Sequence, residues 1–551
     1  MVVTVKFESK TFAGIAMAVV SVLCFVPVLL WGPPADSADM THHVQITHAY
    51  VTGFQSGTLT PNWTDAENTG YGSIAVRFYP PLIHMTIALF KLVVVRMDWA
   101  MFAAFSLWSL IGCWGMYLWT RDIVGGWLAP LTGALLFGIS PYHLNQFYNS
   151  FMLGEFVSLS TLPFAFFFTR RLCADGGVKN VVGLAGATAA LVLSNIPQML
   201  VCFPFIALYA LLCLDRENLL RQISLLAASA GLAVLCTAFY WYRVIAEMSW
   251  IHIAEPNLEP NYDFRNNFLF SGTGAGAEGL GFGSIILLLS VLLAAGVLLA
   301  SGRYRSILGD REIAAPIVML TLSVFMVLPL SQPVWEAIAP LQRVQFPWRF
   351  LSVTSLAASI IMAYGVAAVD RSSIQRNRPA VLAIIGCVLI LATFSVKQVI
   401  LGAAFAEPGA FNKMAEASVN ANGLYHWWPI WASKNTFRER TDVVAGDRQV
   451  ETLQWNSDAR EFTIAPGEPA TVRTAVLYYP WWRATVNGIQ VETQSVGGAL
   501  GFDIGAESAA CVVTFREPDY TAMSRGVSVV TILGVLLFFA TLTFRRKASY
   551  G

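Results

Sequence analysis

Charge is what this chain has least of. Asp, Glu, Lys and Arg together make up 13% of its 551 residues, against 56% hydrophobic, and the mean hydropathy is +0.58. Soluble domains carry about 25% charged and roughly 45–50% apolar residues. A deficit of this size over such a length excludes an ordinary soluble domain and points to lipid. A basic surplus is also missing, since 35 Lys and Arg stand against 34 Asp and Glu. That balance excludes a face built for nucleic-acid phosphates. Cysteine offers no framework either. Seven of the eight (Cys24, Cys113, Cys173, Cys202, Cys213, Cys236 and Cys387) lie in apolar runs, and only Cys511 lies in the soluble part. Neither a disulfide scaffold nor a zinc spacing follows. Internal repeats and low-complexity tracts are absent.

What is present in quantity is long apolar runs. A spanning helix needs roughly 20 mostly apolar residues to hide its backbone polar groups from lipid. The first candidate runs from Thr11 to Trp31 behind Lys6 and Lys10; it is long and lacks a small-residue cleavage site, so it reads as an anchor. Further spans are expected at Ala100–Trp119, Val124–Ser140, Met152–Thr169, Val181–Asn195, Met199–Leu214, Ile223–Tyr240, Gly283–Ala300, Ile313–Leu330, Phe350–Val369, Val381–Ile400 and Val527–Phe544. The sidedness closes only if the stretch Pro81–Val95, interrupted by His84 and Lys91, re-enters without crossing; if it crosses, one other span is miscounted. Aromatic residues abound, with 17 Trp and 36 Phe, as where rings sit at membrane interfaces.

Cytoplasmic loops carry the Lys and Arg excess. Arg121, Arg170 with Arg171 and Lys179, Arg216 with Arg221, Arg303 with Arg305 and Arg311, Arg371 with Arg376 and Arg378, and Arg545–Arg546–Lys547 fall on one face, with both termini. Gly32–Asp98, Pro141–Phe151, Trp241–Phe282, Ser331–Arg349 and Leu401–Arg525 then share the other. Between Leu401 and Arg525 the pattern changes to short alternating runs: Glu461–Ile464, Ala470–Tyr479, Trp482–Val486, Ile489–Glu492 and Cys511–Arg516, with Asn487-Gly488 as a hairpin turn. This reads as a sandwich of about 100 residues. The expected organisation is a multi-span membrane domain over 1–400 with a first external loop at 32–98, an extracytoplasmic mainly-β domain over 401–525, and a final span with a basic tail over 526–551.

The candidate chemistry lies on the outer face. Asp36-Ser-Ala-Asp39-Met-Thr-His42-His43 opens the first loop, followed by Pro61-Asn62-Trp63, Gly70-Tyr71-Gly72 and Arg77-Phe78-Tyr79-Pro80-Pro81. Asp39 and His43 are four apart and share a face if the segment is helical. A carboxylate beside an imidazole serves as a general base on an acceptor hydroxyl or as a contact for a divalent metal, Mg or Mn. The plainer alternative is that Asp36 caps an interfacial helix and the histidines are surface residues. His42, His43 and His48 lack the spacing and the partnered Glu of a zinc site. Glu155 follows Pro141-Tyr142-His143-Leu-Asn145-Gln146-Phe-Tyr148-Asn149 just inside an apolar run. There an ionisable group is a functional candidate or the partner of a buried cation. In Arg343-Val-Gln345-Phe346-Pro347-Trp348-Arg349, two guanidiniums flank aromatics and suit a phosphate, or anchor the helix at the headgroups. The polar loop Glu255–Arg265 reads as a substrate-facing cover.

Taken together, the Asp39-x-x-His42 pair, Pro61-x-Trp63, Gly70-Tyr-Gly72 and Phe78-Tyr-Pro-Pro81 resemble the first external loop of bacterial YfhO-like membrane proteins. They resemble equally the membrane domain labelled 6-pyruvoyl-tetrahydropterin synthase related. Gln345-Phe-Pro-Trp-Arg349 and Tyr478-Tyr479-Pro480-Trp481-Trp482 with Asn487-Gly488 resemble later signatures of that family. The family is similar to the GT-C glycosyltransferases, multi-span enzymes that use a sugar on a polyprenyl-phosphate carrier at the outer membrane face. The resemblance implies a polytopic GT-C-like helical fold of about 12–13 spans with an extracytoplasmic β-sandwich. It implies Asp39 as base or metal contact, Asp36 as second choice, and Glu155 as the family's glutamate, although Ser150 and Phe151 stand where an Arg is often seen. Asp36, His43, Tyr79, Tyr148, Arg343 and Arg349 become candidate substrate contacts. The implied partners are a lipid-linked sugar donor and an envelope glycan or lipid acceptor, in a bacterial inner or plasma membrane, with no nucleic acid. Nothing in the residues supports pterin chemistry. A transporter or flippase of lipid-linked sugars and a noncatalytic scaffold are the readings from other classes.

Overall fold

The computed structural model describes residues 9–35, 39–65, 67–254, 262–271, 277–300, 311–368, 378–416, 423–437, 440–457 and 459–548. By contact the chain divides into two units of three segments each: Met1–Asp39, Asp98–Val234 and Asn257–Pro408 form one, and Met40–Met97, Leu235–Pro256 and Gly409–Gly551 the other.

The first unit is built of helices, and every apolar run in it forms one. Lys10–Trp31, Met97–Val124, Ile196–Cys213, Leu219–Cys236 and Pro347–Ala367 are each long and apolar enough to cross a membrane. At 1.5 Å per residue, 18 residues already cover about 27 Å of a hydrocarbon layer roughly 30 Å thick. With Asp519–Thr541 of the other unit, six such helices stand among the described residues, or seven if Ile313–Val327 and Pro329–Ala337, bent by 89°, make one span. The other expected spans form helices at Leu128–Gly138, Leu153–Asp175, Val178–Ser194, Ala277–Ala300 and Arg378–Phe394. Asn195 breaks the continuous apolar stretch from Val178 to Cys213 by taking extended backbone and capping Gln198 N–H at 2.8 Å. The core is aromatic. Trp119, fully buried, stacks on Phe166 with centroids 4.8 Å apart and donates its indole N–H to Tyr209 Oη at 2.9 Å.

In the second unit the segment Met40–Met97 supplies the helix Met40–Gln55 and the ten-residue helix Leu82–Lys91. The latter is about 15 Å long, too short to cross. Among the described residues nine strands follow: β1 (Val443–Val444), β2 (Val450–Trp455), β3 (Ala459–Ile464), β4 (Ala470–Leu477), β5 (Trp482–Val486), β6 (Ile489–Val491), β7 (Gln494–Val496), β8 (Ala499–Ile504) and β9 (Ala509–Phe515). They form two antiparallel sheets, ordered β1-β4-β8-β7 and β2-β3-β9-β5-β6. The sheets meet face to face, with Phe462 of β3 and Phe502 of β8 at 6.4 Å. The expected hairpin turn is present, with φ of +50° at Asn487 and +82° at Gly488, the backbone that two-residue hairpins prefer. The chain closes in the 30-residue helix Asp519–Ala548.

Trp482 anchors the five-stranded sheet. Fully buried, it meets Trp63 and Phe515 edge-on, each at 5.1 Å, and lies 4.5 Å beneath the Arg460 guanidinium, itself paired with Asp65. Truncation of such a core residue costs about 3–5 kcal/mol. Trp482→Ala is therefore expected to lower the thermal midpoint of the full-length protein in detergent by several degrees. Ile489→Ala on the exposed hairpin should leave it within about a degree. Equal midpoints for the two variants would contradict this packing.

Candidate functional site

Glu155 and Arg349, named separately from the sequence, come together. Arg349 Nε donates to Glu155 Oε2 at 3.0 Å, and Tyr142 Oη donates to Glu155 Oε1. The arginine also donates to the Val344 carbonyl and lies 4.9 Å over the Phe346 ring. Local backbone explains the meeting. Phe151 takes a φ of +49°, reversing the chain so that Met152 N–H reaches the Gln146 carbonyl at 2.7 Å and the helix Pro141–Tyr148 folds beside Leu153–Asp175. Gln345 does the same on the arginine's side of the pair, with φ +67° bringing the Val344 carbonyl toward Arg349. Gly154 is required because a Cβ there would stand 2.2 Å from the Ser194 carbonyl oxygen. Glu155 is fully buried and Arg349 5% exposed. A buried ion pair holds only when its remaining hydrogen-bonding capacity is met, and here Tyr142 and Val344 meet it.

The other named residues are spread. Asp39 is half-buried at the turn before the helix Met40–Gln55, and Asp36 lies outside the described residues. Arg343 is exposed at the end of the short helix Ala339–Gln342. Tyr148 is buried, with its hydroxyl donated to the Cys24 carbonyl at 2.5 Å.

On the first loop, His43 and Tyr79 meet within an imidazole–aromatic cluster. Tyr79 Oη lies 3.4 Å from His43 Nε2, and His43 stacks on His84 at 5.4 Å. His84 Nδ1 lies 2.8 Å from Thr47 Oγ1. His42 Nδ1 lies 2.9 Å from Glu67 Oε1, both residues being buried, and Trp427 stacks on the His42 ring at 6.1 Å. Glu67, Asn68 and Thr69 place that carboxylate with φ of +44°, +56° and +54° in succession. Each such non-glycine position costs on the order of 1–3 kcal/mol. Asn68 holds the strained run by accepting from Gly423 N–H at 2.9 Å and Trp428 Nε1 at 2.8 Å. Burial, with His84 and His42 beside it, holds the His43 imidazole well below its usual range, and burial with His42 takes His84 down to about 3.

Sequence reasoning missed Glu247, at the end of the helix Ala238–Glu247. Arg77 donates to it from Nε at 2.9 Å and Nη2 at 2.5 Å. Tyr479 and Tyr520 each donate a hydroxyl at 2.6 Å, and Trp481 its indole N–H at 3.2 Å. Arg77 and Glu247 are both fully buried. Burial pushes the Glu247 carboxyl up, but the Arg77 charge and the bonds from Arg77, Tyr479 and Tyr520 outweigh it and hold the group below the usual carboxylate range. Arg77 also donates to Asn62 and Glu517, each at 3.0 Å. The Tyr478–Trp482 signature thus has a structural use: Tyr479 and Trp481 bind Glu247, and Trp482 fills the sandwich core.

The family model described as 6-pyruvoyl-tetrahydropterin synthase related domain, membrane protein, matches residues 76–401, more than half the chain, and the chain belongs to that family. Solved structures similar to it include the following two. One is the arabinofuranosyltransferase AftD from Mycobacteria, at 15% identity and a TM-score of 0.48, over 72% of this chain and 27% of that one. The other is the apo oligosaccharyltransferase of Archaeoglobus fulgidus, at 12% identity and a TM-score of 0.40, over 75% of this chain and 57% of that one. The chain spans well under two thirds of the length of either. No curated protein matches it.

Two outcomes follow for the second unit. Glu247→Gln removes the carboxylate that clasps Arg77 Nε and Nη2, and is expected to cost about 3–5 kcal/mol; a thermal midpoint like the wild type's would show the pair to be dispensable. For the histidines, the unfolded chain takes up protons below about pH 6.5 that buried His43 and His84 refuse. Stability therefore falls as pH falls below that value, by about 1.4 kcal/mol per unit for each. His84→Asn should shrink the drop in midpoint between pH 7 and pH 5. An unchanged drop would mean that His84 is protonated in the folded protein.

Proposed function

We propose that this member of the 6-pyruvoyl-tetrahydropterin synthase related membrane family is a glycosyltransferase of the GT-C type. It transfers a sugar from a polyprenyl-phosphate carrier to a glycan or lipid acceptor of the cell envelope, outside the membrane. The observation that carries the reading is the contrast between the two candidate carboxylates. Glu155 is sealed between Arg349 and Tyr142, whereas Asp39 keeps part of its surface exposed at the head of the first external loop. Together with the family-like motifs of that loop, this favours Asp39 as the group that meets substrate.

In this reaction the acceptor oxygen attacks the anomeric carbon as the bond from that carbon to the carrier phosphate breaks. The bonding pair leaves with the phosphate, the acceptor proton passes to Asp39, and a single displacement inverts the anomeric centre. Glu155 does not touch substrate in this scheme; it positions Arg349 and Tyr142. Among the described residues no three His, Cys, Asp or Glu side chains are grouped to hold a metal ion. The protein would work in the inner or plasma membrane of a bacterium, with both termini cytoplasmic.

Loss of a positioned general base costs about 10²–10⁴-fold. Asp39→Asn, expressed at normal level, should lower sugar transfer from a polyprenyl-phosphate donor into envelope glycan by at least a hundredfold. Unchanged glycan would sink the catalytic assignment. Intact transfer with reduced movement of the lipid-linked sugar across the bilayer would favour a carrier instead.

A further inference from the structure

A lipid-linked donor brings a phosphate to the headgroup level and a chain into the hydrocarbon layer. Arg349 is poorly placed to receive the phosphate, because its guanidinium is buried and engaged by Glu155, Val344 and Phe346. Elsewhere in the same unit a different cation stands open. A groove of about 350 Å³ is walled by Ile286, Leu389, Ile390 and Phe394, and Lys397 and Gln398 stand at one end of it. Lys397 is exposed, and no carboxylate pairs with it among the described residues. Leu389 and Ile390 are 61% and 57% exposed. That face is suited to hydrocarbon and not to water.

The backbone at this point is built to present the two polar side chains. The helix Arg378–Phe394 does not continue regularly but opens into a π-turn at Ser395–Ile400. Such turns are rare and concentrate at functional sites. Here the turn is tied at both ends. Ser395 Oγ donates to the Ile139 carbonyl at 2.7 Å, and Asn149 Nδ2 donates to the Val399 carbonyl at 3.2 Å. Gly283 lets the neighbouring helix close on the groove, since a Cβ there would stand 3.2 Å from the Phe394 ring and 3.1 Å from Pro141. Loop charges put Lys397 at the outer end of its span, where the positive-inside bias gives no reason for a lysine.

We propose that this groove holds the donor, with isoprenoid units along Ile286, Leu389, Ile390 and Phe394 and the phosphate at Lys397 and Gln398. The assignment rests on the glycosyl-transfer reading and gives its donor a place. A chain-bearing phosphate satisfies both halves of the site: the apolar wall takes the hydrocarbon, and the ammonium and amide donate to phosphate oxygens. Lys397 also compensates the phosphate charge that grows as the sugar departs.

Binding can be read without any transfer assay, using the full chain in phosphatidylcholine nanodiscs and undecaprenyl phosphate as the probe. Lys397→Ala should weaken binding about fivefold to tenfold, with recovery in Lys397→Arg. Leu389→Arg, which puts charge on the wall, should weaken it at least as much. Asp39→Asn should bind as the wild type does. Wild-type affinity in both Lys397→Ala and Leu389→Arg would overturn the site. So would equal competition by phosphatidylglycerol, which would make it a general anionic-lipid contact, or by inorganic phosphate, which would show the groove to be idle. If the binding pattern holds and Asp39→Asn leaves glycan unchanged, the transfer reading fails while the groove stands.

Discussion

The second unit depends on one buried ion pair, Arg77 with Glu247. Removing two such ions from water costs several kcal/mol each, and a lone guanidinium–carboxylate contact would not offset it. What makes the pair tolerable is completeness. Glu247 receives five donors from Arg77, Tyr479, Trp481 and Tyr520. Those donors come from the segment that precedes the helix Leu82–Lys91, the end of the β4–β5 connection and the start of the last helix. The requirement to satisfy one carboxylate therefore fixes three distant stretches of chain against the helix Ala238–Glu247.

The first unit meets the same problem with Glu155 and Arg349, and its solution has a functional price. A cation neutralised by an internal carboxylate and held over Phe346 is a fixed part of the architecture. It orders the segments Pro141–Phe151 and Ser331–Arg349, but it is not available as an open phosphate contact. Lys397 differs in every respect that matters here: exposed, unpaired among the described residues, and flanked by hydrocarbon instead of by a carboxylate.

Much of the fold was legible because lipid imposes a length and a composition, and the apolar runs from Thr11 to Val527 all became helices. Their breaks were less legible. Asn195 looks like any polar residue until its side chain caps the next helix. Strands with period-two alternation, such as β3, were visible, whereas β2, exposed along most of its length, and β8, buried at nearly every position, show no alternation. At the site, Glu155 and Arg349 each stood out as a charge beside apolar sequence. Their pairing spans 194 residues and has no local signal. Glu247 was hidden because its helix follows an apolar run and reads as the start of a loop. Glu67 was hidden because its position depends on three successive left-handed residues that no propensity favours.

The separations within the Glu247 cluster carry a consequence for how the protein is made. Glu517 follows Arg77 by 440 residues, and Tyr520 follows Glu247 by 273. At roughly 5–20 residues per second, Arg77 leaves the ribosome on the order of 20–90 s before its last partners exist. For that interval the first loop carries a guanidinium it cannot yet bury, and the second unit cannot close around it. Biogenesis is thus ordered from the C-terminus backward: the final helix must be inserted before the loop that was translated first can settle.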